Sequence, residues 1–296
     1  MHVGLAPISD LMASPDVLEI MVVNGSDVWV ERTSGFSHHC SLSTAELTLL
    51  VEGLSRLSHR RIDALSPILD ARLPDGSRAC VVLAPIALHG TSINIRKFPQ
   101  RTLPLAAFGS EHHCELVRQL VISRANVVVS GETSSGKTSL VSAATEWFSP
   151  HDRVVCAEDT PEIRFRHPHV VALQTRPANQ DGMGAVTLHD LVRTSLRMRP
   201  DRLVVGEVRG TEVVDMLLAL SSGHSGSWTT VHASSANHTT HRLVSLVLRH
   251  HPQWTQRDAT ELVHSAVTAV VHITRLANGR RTITAVRSLK DHPCHE

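Results

Sequence analysis

From Ser130 to Ser139 the chain reads Ser-Gly-Glu-Thr-Ser-Ser-Gly-Lys-Thr-Ser, the spacing G-x-x-x-x-G-K-[ST]. Glycines at Gly131 and Gly136 let the backbone curl so that its N–H groups, with a helix N-terminus behind them, point at phosphate oxygens. Lys137 is expected to place its ammonium on the β- and γ-phosphates of a nucleotide, and the Thr138 hydroxyl to ligate Mg²⁺. Glu132, Thr133, Ser134, Ser135 and Ser139 complete the expected cradle. An apolar run, Asn126 to Val129, precedes the loop, and Leu140 to Phe148 has helical character. Strand, loop and helix in that order separate a phosphate loop from a chance Gly/Ser-rich turn.

Such a loop needs carboxylates to handle the metal and activate water. Leu203-Val204-Val205-Gly206-Glu207 is a buried apolar strand ending on an acid, and Glu207 is the choice for polarising the attacking water. Glu158-Asp159-Thr160-Pro161-Glu162 also follows an apolar strand. One of its carboxylates could bind Mg²⁺ through water or serve as auxiliary base. The same residues suit an acidic helix start, with Asp159 capping, and the sequence leaves the two readings even. His232 ends a strand after the glycine-rich Gly223–Gly226, where an imidazole could face a γ-phosphate. The pairs His38-His39, His112-His113 and His250-His251 lack metal-ligand spacing and read as solvated. Arg193 and Arg197, four apart on one helical face, suit solvent or a neighbouring subunit better than catalysis.

The elements that would position these groups fall into two sets. In the first hundred residues, Val17–Val23 and Val28–Glu31 are strand-like around an Asn24-Gly25 turn. Ser43 and Glu46 form a capping box opening a helix through Leu57, and Asp75-Gly76 turns between two further strands before Ser92–Ile95. Pro99 and Pro104 mark a linker over 99–106, so the expected domains are 1–98 and 107–296. Beyond it, strands and helices alternate, and Asn278-Gly279 signals a closing hairpin. The expected fold is α/β: a mostly parallel sheet covered on both faces, preceded by a smaller α/β domain.

Composition bounds the rest. The chain has 296 residues, 42% of them apolar and 19% charged, which suits a folded protein. A net charge of +1 supports no direct nucleic-acid partner. Its five cysteines form no C-x-x-C pair, arguing against a disulfide framework or zinc and fitting a reducing cytosol. No signal peptide or transmembrane segment is expected, since the apolar run Val81–Leu88 is too short to span a bilayer. Only Lys97, Lys137 and Lys290 are lysines and tyrosine is absent, so the lysine in the loop stands out.

Four ordered stretches, the phosphate loop, Glu158–Glu162, Val205–Gly210 and Gly223–His232, resemble the ATPase superfamily of type II and type IV secretion systems. The pattern is similar to the tight-adherence (Flp) pilus ATPases of the CpaF/TadA group. Arg176-Pro177-Ala178-Asn179, Leu196–Arg202, Asp70–Arg78 and Ile95–Phe98 share that likeness. The resemblance implies a RecA-like P-loop ATPase domain, ATP with Mg²⁺, and a homo-oligomeric ring, usually a hexamer. It also implies a cytoplasmic place at the inner face of the cell membrane, with inner-membrane pilus or secretion proteins as partners. It makes Lys137 and Thr138 the phosphate and metal residues, Glu207 the Walker B glutamate, and His232 the His-box residue. Glu158 becomes the auxiliary base, Asp159 and Glu162 the metal side of the Asp box, and Arg78 and Arg96 the arginines reaching the γ-phosphate. Relatives more often have Gly-Thr-Gly-Ser where this chain has Glu132-Thr133-Ser134-Ser135, so Ser134 is expected to stiffen the loop. Rivals with the same motifs are a conjugation or type IV secretion ATPase and a non-hydrolysing, ATP-binding paralogue. A DNA translocase lacks a visible basic channel.

Overall fold

The structure, a computed structural model, describes residues 3–32, 34–98, 102–178 and 182–290. The chain divides into two compact units, Met1–Arg101 and Thr102–Glu296. Pro99, Gln100 and Arg101 of the expected linker, together with Asn179 and Cys294, lie outside the described residues.

The first unit holds α1 (Ser9–Ala13) and an antiparallel six-stranded sheet flanking α2. Its strands are β1 (Val17–Val23), β2 (Asp27–Arg32), β3 (Gly35–Ser41), β4 (Ile68–Arg72), β5 (Arg78–Val82) and β6 (Ser92–Arg96), in the order β3-β2-β1-β6-β5-β4. Asn24 and Gly25, at φ 53° and 73°, make the tight β1–β2 turn that right-handed strand twist favours. Helix α2 (Thr44–Ser58) opens on the expected capping box: Ser43 Oγ accepts from the Glu46 amide, and Glu46 Oε2 accepts from the Ser43 amide at 2.8 Å. It buries Leu50 and Leu54 against Ala79, Val81, Ile93 and Ile95 of the sheet. Strand β3 has no apolar alternation and is almost wholly exposed; pairing with β2 makes it a strand. Lys97 and Phe98 belong to this unit, their amides donating to Leu18 O (2.9 Å) and Ser77 Oγ (3.2 Å).

The second unit is a seven-stranded sheet between two layers of helices. After α3 (Glu111–Ile122) come β7 (Val127–Gly131), α4 (Lys137–Thr145), β8 (Val154–Glu158), β9 (Val170–Gln174), α5 (Leu188–Leu196) and β10 (Arg202–Val205). Then follow α6 (Glu212–Ser221), β11 (Trp228–His232), α7 (Ala236–His250), α8 (Gln256–Ala266), β12 (Ala269–Arg275) and β13 (Arg281–Ser288). The order is β13-β12-β7-β11-β10-β8-β9, with every pair parallel except the β12–β13 hairpin. Strands β7, β8 and β10 are buried on both faces, which is why they read as continuous Val-rich runs. Helices α3 and α4 cover one face, and α5, α6, α7 and α8 the other. The caps Ser110 and Thr255 start α3 and α8, which bury Cys114, Val117 and Val121 and, in α8, Ala259, Leu262, Val263 and Ala266.

At the N-terminal edge of this sheet a buried ion network ties elements together. Asp152 accepts from Arg202 Nε (2.5 Å) and Arg124 Nη1 (2.9 Å). Arg202 is 3% exposed, lies over the Phe148 ring, and donates to Gly226 O (3.3 Å) and Val121 O (3.2 Å). Removing one member strands the other charge in a low dielectric. Asp152→Ala should therefore lower the unfolding free energy by about 3 kcal/mol, read as a lower urea midpoint at an unchanged slope.

Candidate nucleotide site

The loop leaves β7 at Gly131 and enters α4 at Lys137. A Cβ on Gly131 would overlap the Ile273 carbonyl and come within 2.5 Å of Ser135 Oγ, so packing demands glycine there. Gly136 caps α4 at φ 99°, a left-handed conformation that glycine adopts without cost, with Arg281 packed against it. Ser134 stands at φ 61°, the same region, without glycine's freedom. Lys137 is buried, and its Nζ donates to Gly131 O (3.0 Å) and Glu132 O (2.9 Å), carbonyls of its own loop. Ser135 is 1% exposed and its Oγ has no hydrogen-bond partner among the described residues. A buried hydroxyl left orphaned is costly; here it sits where the G-x-x-x-x-G-K-[ST] loop receives phosphate. The residues present thus fit a nucleotide phosphate.

The floor is built by parallel register. His232 stands opposite Gly131 in the β11–β7 ladder and is exposed at the strand end. Two residues back, Thr230 Oγ1 donates to Gly206 O (2.7 Å), and Thr230 O accepts from the Val208 amide (2.9 Å). These two bonds bracket half-buried Glu207 at the end of β10. Gly206 in turn donates its amide to Ala157 O (2.9 Å), and a Cβ on it would stand 2.8 Å from Glu158 Cγ. The loop, His232, Glu207 and Glu158 therefore lie along one sheet edge, where strand C-termini face a ligand crevice in open α/β sheets.

Within the acidic stretch the three carboxylates differ. Glu158 is 3% exposed; its Oε1 accepts from the Glu162 amide (2.9 Å) and the Ile163 amide (3.1 Å), and its Oε2 faces Cys156 Sγ at 3.5 Å. Burial pushes this carboxyl up to about 7, outweighing the two amides that favour its charged form. Burial likewise pushes the Cys156 thiol well up. Asp159 is partly exposed and paired with Arg209, and Glu162 is exposed. Residues 161–167 form no helix, so the helix-start reading of this stretch does not hold. Among the described residues no three His, Cys, Asp or Glu side chains gather as a metal cage. The Thr138 hydroxyl and a nearby carboxylate suit Mg²⁺, which keeps waters and phosphate oxygens as ligands.

Beyond Glu207 the chain folds into a cleft of about 510 Å³, lined by Asp159, Arg176, His189, Arg209 and Glu212. Arg193 is mostly exposed and faces Asp215 of α6 at 3.9 Å. In the first unit, Arg78 and Arg96 stand opposite one another on β5 and β6, both exposed. Arg78 holds Asp70 at 3.1 and 2.7 Å, and Arg72 joins the same row through its register with Arg78. Motif reasoning passes over His272 and Arg281. Only strand register or packing reveals them, since neither carries a local signature.

The chain matches the family described as "Type II/IV secretion system protein" over residues 2–295. It belongs to that family. It is 35% identical over 301 residues to a Mycobacterium tuberculosis protein named for conjugal transfer, covering 97% of this chain and 85% of that one. To the type IV secretion system protein VirB11 of Brucella suis it is 31% identical, covering 91% and 84%. The crystal structure of the Brucella suis VirB11 ATPase in complex with sulphate superposes with a TM-score of 0.54 at 28% identity, covering 96% and 93%. The Legionella pneumophila ATPase DotB superposes with a TM-score of 0.68 at 18% identity, covering 98% and 82%, and shares the fold. The chain is thus a type II/IV secretion ATPase relative with an N-terminal α/β unit and a RecA-like unit.

Two measurements check this geometry. The folded Glu158 carboxyl titrates near 7 against an ordinary 4.5, so its contribution to stability is complete below the unfolded value and is lost as pH rises through about 7. In chelator, Glu158→Gln should melt above the wild type at pH about 8.5, with the gap closing toward pH about 5. At Ser134, strain of about 1 kcal/mol opposes a similar entropy term for glycine. Ser134→Gly should accordingly stay within about 0.5 kcal/mol of wild type, while the β-branched Ser134→Val loses about 1–2 kcal/mol by urea unfolding.

Proposed function

We propose that the chain is an ATP-hydrolysing motor subunit of a type II/IV secretion machine. The observation that carries this reading is the single sheet edge on which the Lys137 loop, His232 and Glu207 stand side by side. ATP bound there with Mg²⁺ supplies the γ-phosphoryl group for transfer to water. Lys137 would leave its loop carbonyls to meet phosphate oxygens. Thr138, with Asp159 and Glu162, would hold Mg²⁺, which would supply charge neutralisation at the phosphates. Glu207 orients the attacking water and takes its proton, and His232 donates to the γ-phosphate side. Glu158, with its Oε1 occupied by two amides, shapes the acidic stretch beside Glu207 more than it touches reactants. The N-terminal domain is assigned to residues 1–98, with Arg78 and Arg96 as its candidate γ-phosphate arginines, and the ATPase domain to 107–296.

The motifs support Flp-type pilus assembly of the CpaF/TadA kind, by a hexameric ring in the cytoplasm at the inner face of the membrane. Cycles of ATP binding and hydrolysis would move inner-membrane partners. A second reading, conjugation or type IV secretion, is favoured by the relatives named for conjugal transfer and for VirB11. The two share their chemistry, and the membrane proteins that co-purify with the chain from its own cells separate them. No helix among the described residues is long and apolar enough to cross a membrane.

Hydrolysis is tested by phosphate release from ATP with Mg²⁺. Glu207→Gln should lower turnover by at least about 100-fold while nucleotide still binds. Lys137→Ala should lose binding itself. Turnover that survives Glu207→Gln overturns the assignment, and no turnover in the assembled wild type favours a nucleotide-binding structural subunit.

A further inference from the structure

The phosphate loop is held from behind by β12, and one side chain in that contact has no part in the scheme above. His272 stands opposite Ser130 in the β12–β7 ladder, and its Nδ1 lies 2.9 Å from Ser130 Oγ. Both residues are buried, His272 at 7% and Ser130 at 0% exposure. One residue further, the Ile273 carbonyl crowds Gly131 so closely that no Cβ fits. Strand β12 therefore grips the last two residues before the loop, one through a side chain and the next through its backbone. Gly131 O is one of the two carbonyls on which Lys137 Nζ rests. A short path thus runs from His272 through Ser130 and Gly131 to the ammonium.

The surroundings of the ring agree. The β12–β13 register slips between His272 and Ile273, an irregularity that re-aims side chains at that point. His272 also lines a cavity of about 120 Å³ beside the loop, with Glu132, Thr133 and Ser135 on its walls and Arg275 at the end of β12. Burial holds the imidazole below its ordinary pKa; the Glu132 carboxylate opposes that shift and the Lys137 ammonium adds to it. The neighbouring inward positions of β12 are Val270, Val271 and Ile273, which pack without any polar bond. A neutral imidazole can satisfy the Ser130 hydroxyl in either tautomer, whereas a hydrocarbon there leaves a buried hydroxyl without a partner.

We infer that His272 is a positioning residue for the phosphate loop, acting on it through the Ser130 hydroxyl. When phosphate draws Lys137 off Gly131 O and Glu132 O, the stem of the loop must stay in place so that the amides still converge. The His272–Ser130 bond and the Ile273–Gly131 contact hold that stem. The inference rests on the reading of this loop as a nucleotide site.

The test measures binding of a fluorescent N-methylanthraniloyl-ATP, and ATP turnover, with the full chain. His272→Ala should weaken binding about tenfold, with turnover at saturating ATP within about threefold of wild type. Ser130→Ala should do the same, and the double variant should be no worse than either single, because the two act through one bond. His272→Asn, which can place an amide where Nδ1 stands, should recover most of the affinity, while His272→Gln should not. Wild-type affinity in a folded His272→Ala, additive losses in the double variant, or no rescue by Asn each overturn the inference. Should His272→Ala fail to fold, the smaller Ser130→Ala decides, wild-type affinity overturning the inference and a tenfold loss supporting it. A wild type that does not bind the analogue overturns the nucleotide reading itself; a wild type that binds, with Lys137→Ala that does not, leaves only the role of His272 at stake.

Discussion

The tightest constraint in this molecule is the absence of room around Gly131. The Ile273 carbonyl and the Ser135 hydroxyl both crowd the place a β-carbon would take, so the last residue of β7 carries no side chain. This closeness exists because β7 is an interior strand, with β12 and β11 hydrogen-bonded to either side. The same pairing sets His232 opposite Gly131 and His272 opposite Ser130. Everything the loop can do depends on where this strand end is held. It is held by backbone register, which no exposed loop could maintain with equal precision.

The two edges of the parallel sheet treat polar groups in opposite ways. At the N-terminal edge, Asp152, Arg202 and Arg124 satisfy one another, and Arg202 also reaches two carbonyls and an aromatic face. At the C-terminal edge the accounts are left open. Lys137 rests on carbonyls, Ser135 Oγ has no partner among the described residues, and Glu158 is buried enough to hold a proton near neutrality. Unmet polar demand within a buried wall is costly, and it concentrates where a ligand can relieve it.

Relatives named for conjugal transfer and for VirB11 share the family, and solved ATPases share the fold. A phosphate loop and the strand ends beside it carry no information on what a member of such a family acts on.

Much was legible in the amino-acid order. The phosphate loop, the capping box at Ser43, the Asn24-Gly25 and Asn278-Gly279 turns and the Val-rich strands all follow from local rules of spacing, capping and left-handed conformation. Strand β3 was not legible, because its residues face solvent and only pairing with β2 orders them. The acidic stretch at Glu158 stayed ambiguous, a metal or base group on one reading and a helix start on the other, and residues 161–167 form no helix. By itself the sequence determined that a G-x-x-x-x-G-K-[ST] loop joins a strand to a helix and that acids and a histidine end the apolar strands after it, since these are matters of residue type and near spacing. Only the tertiary structure decided that Glu158 is a buried, proton-holding group and that Ser130 has a histidine partner across a strand boundary. Dielectric and register are properties of neighbours distant in the chain, and no local pattern encodes them.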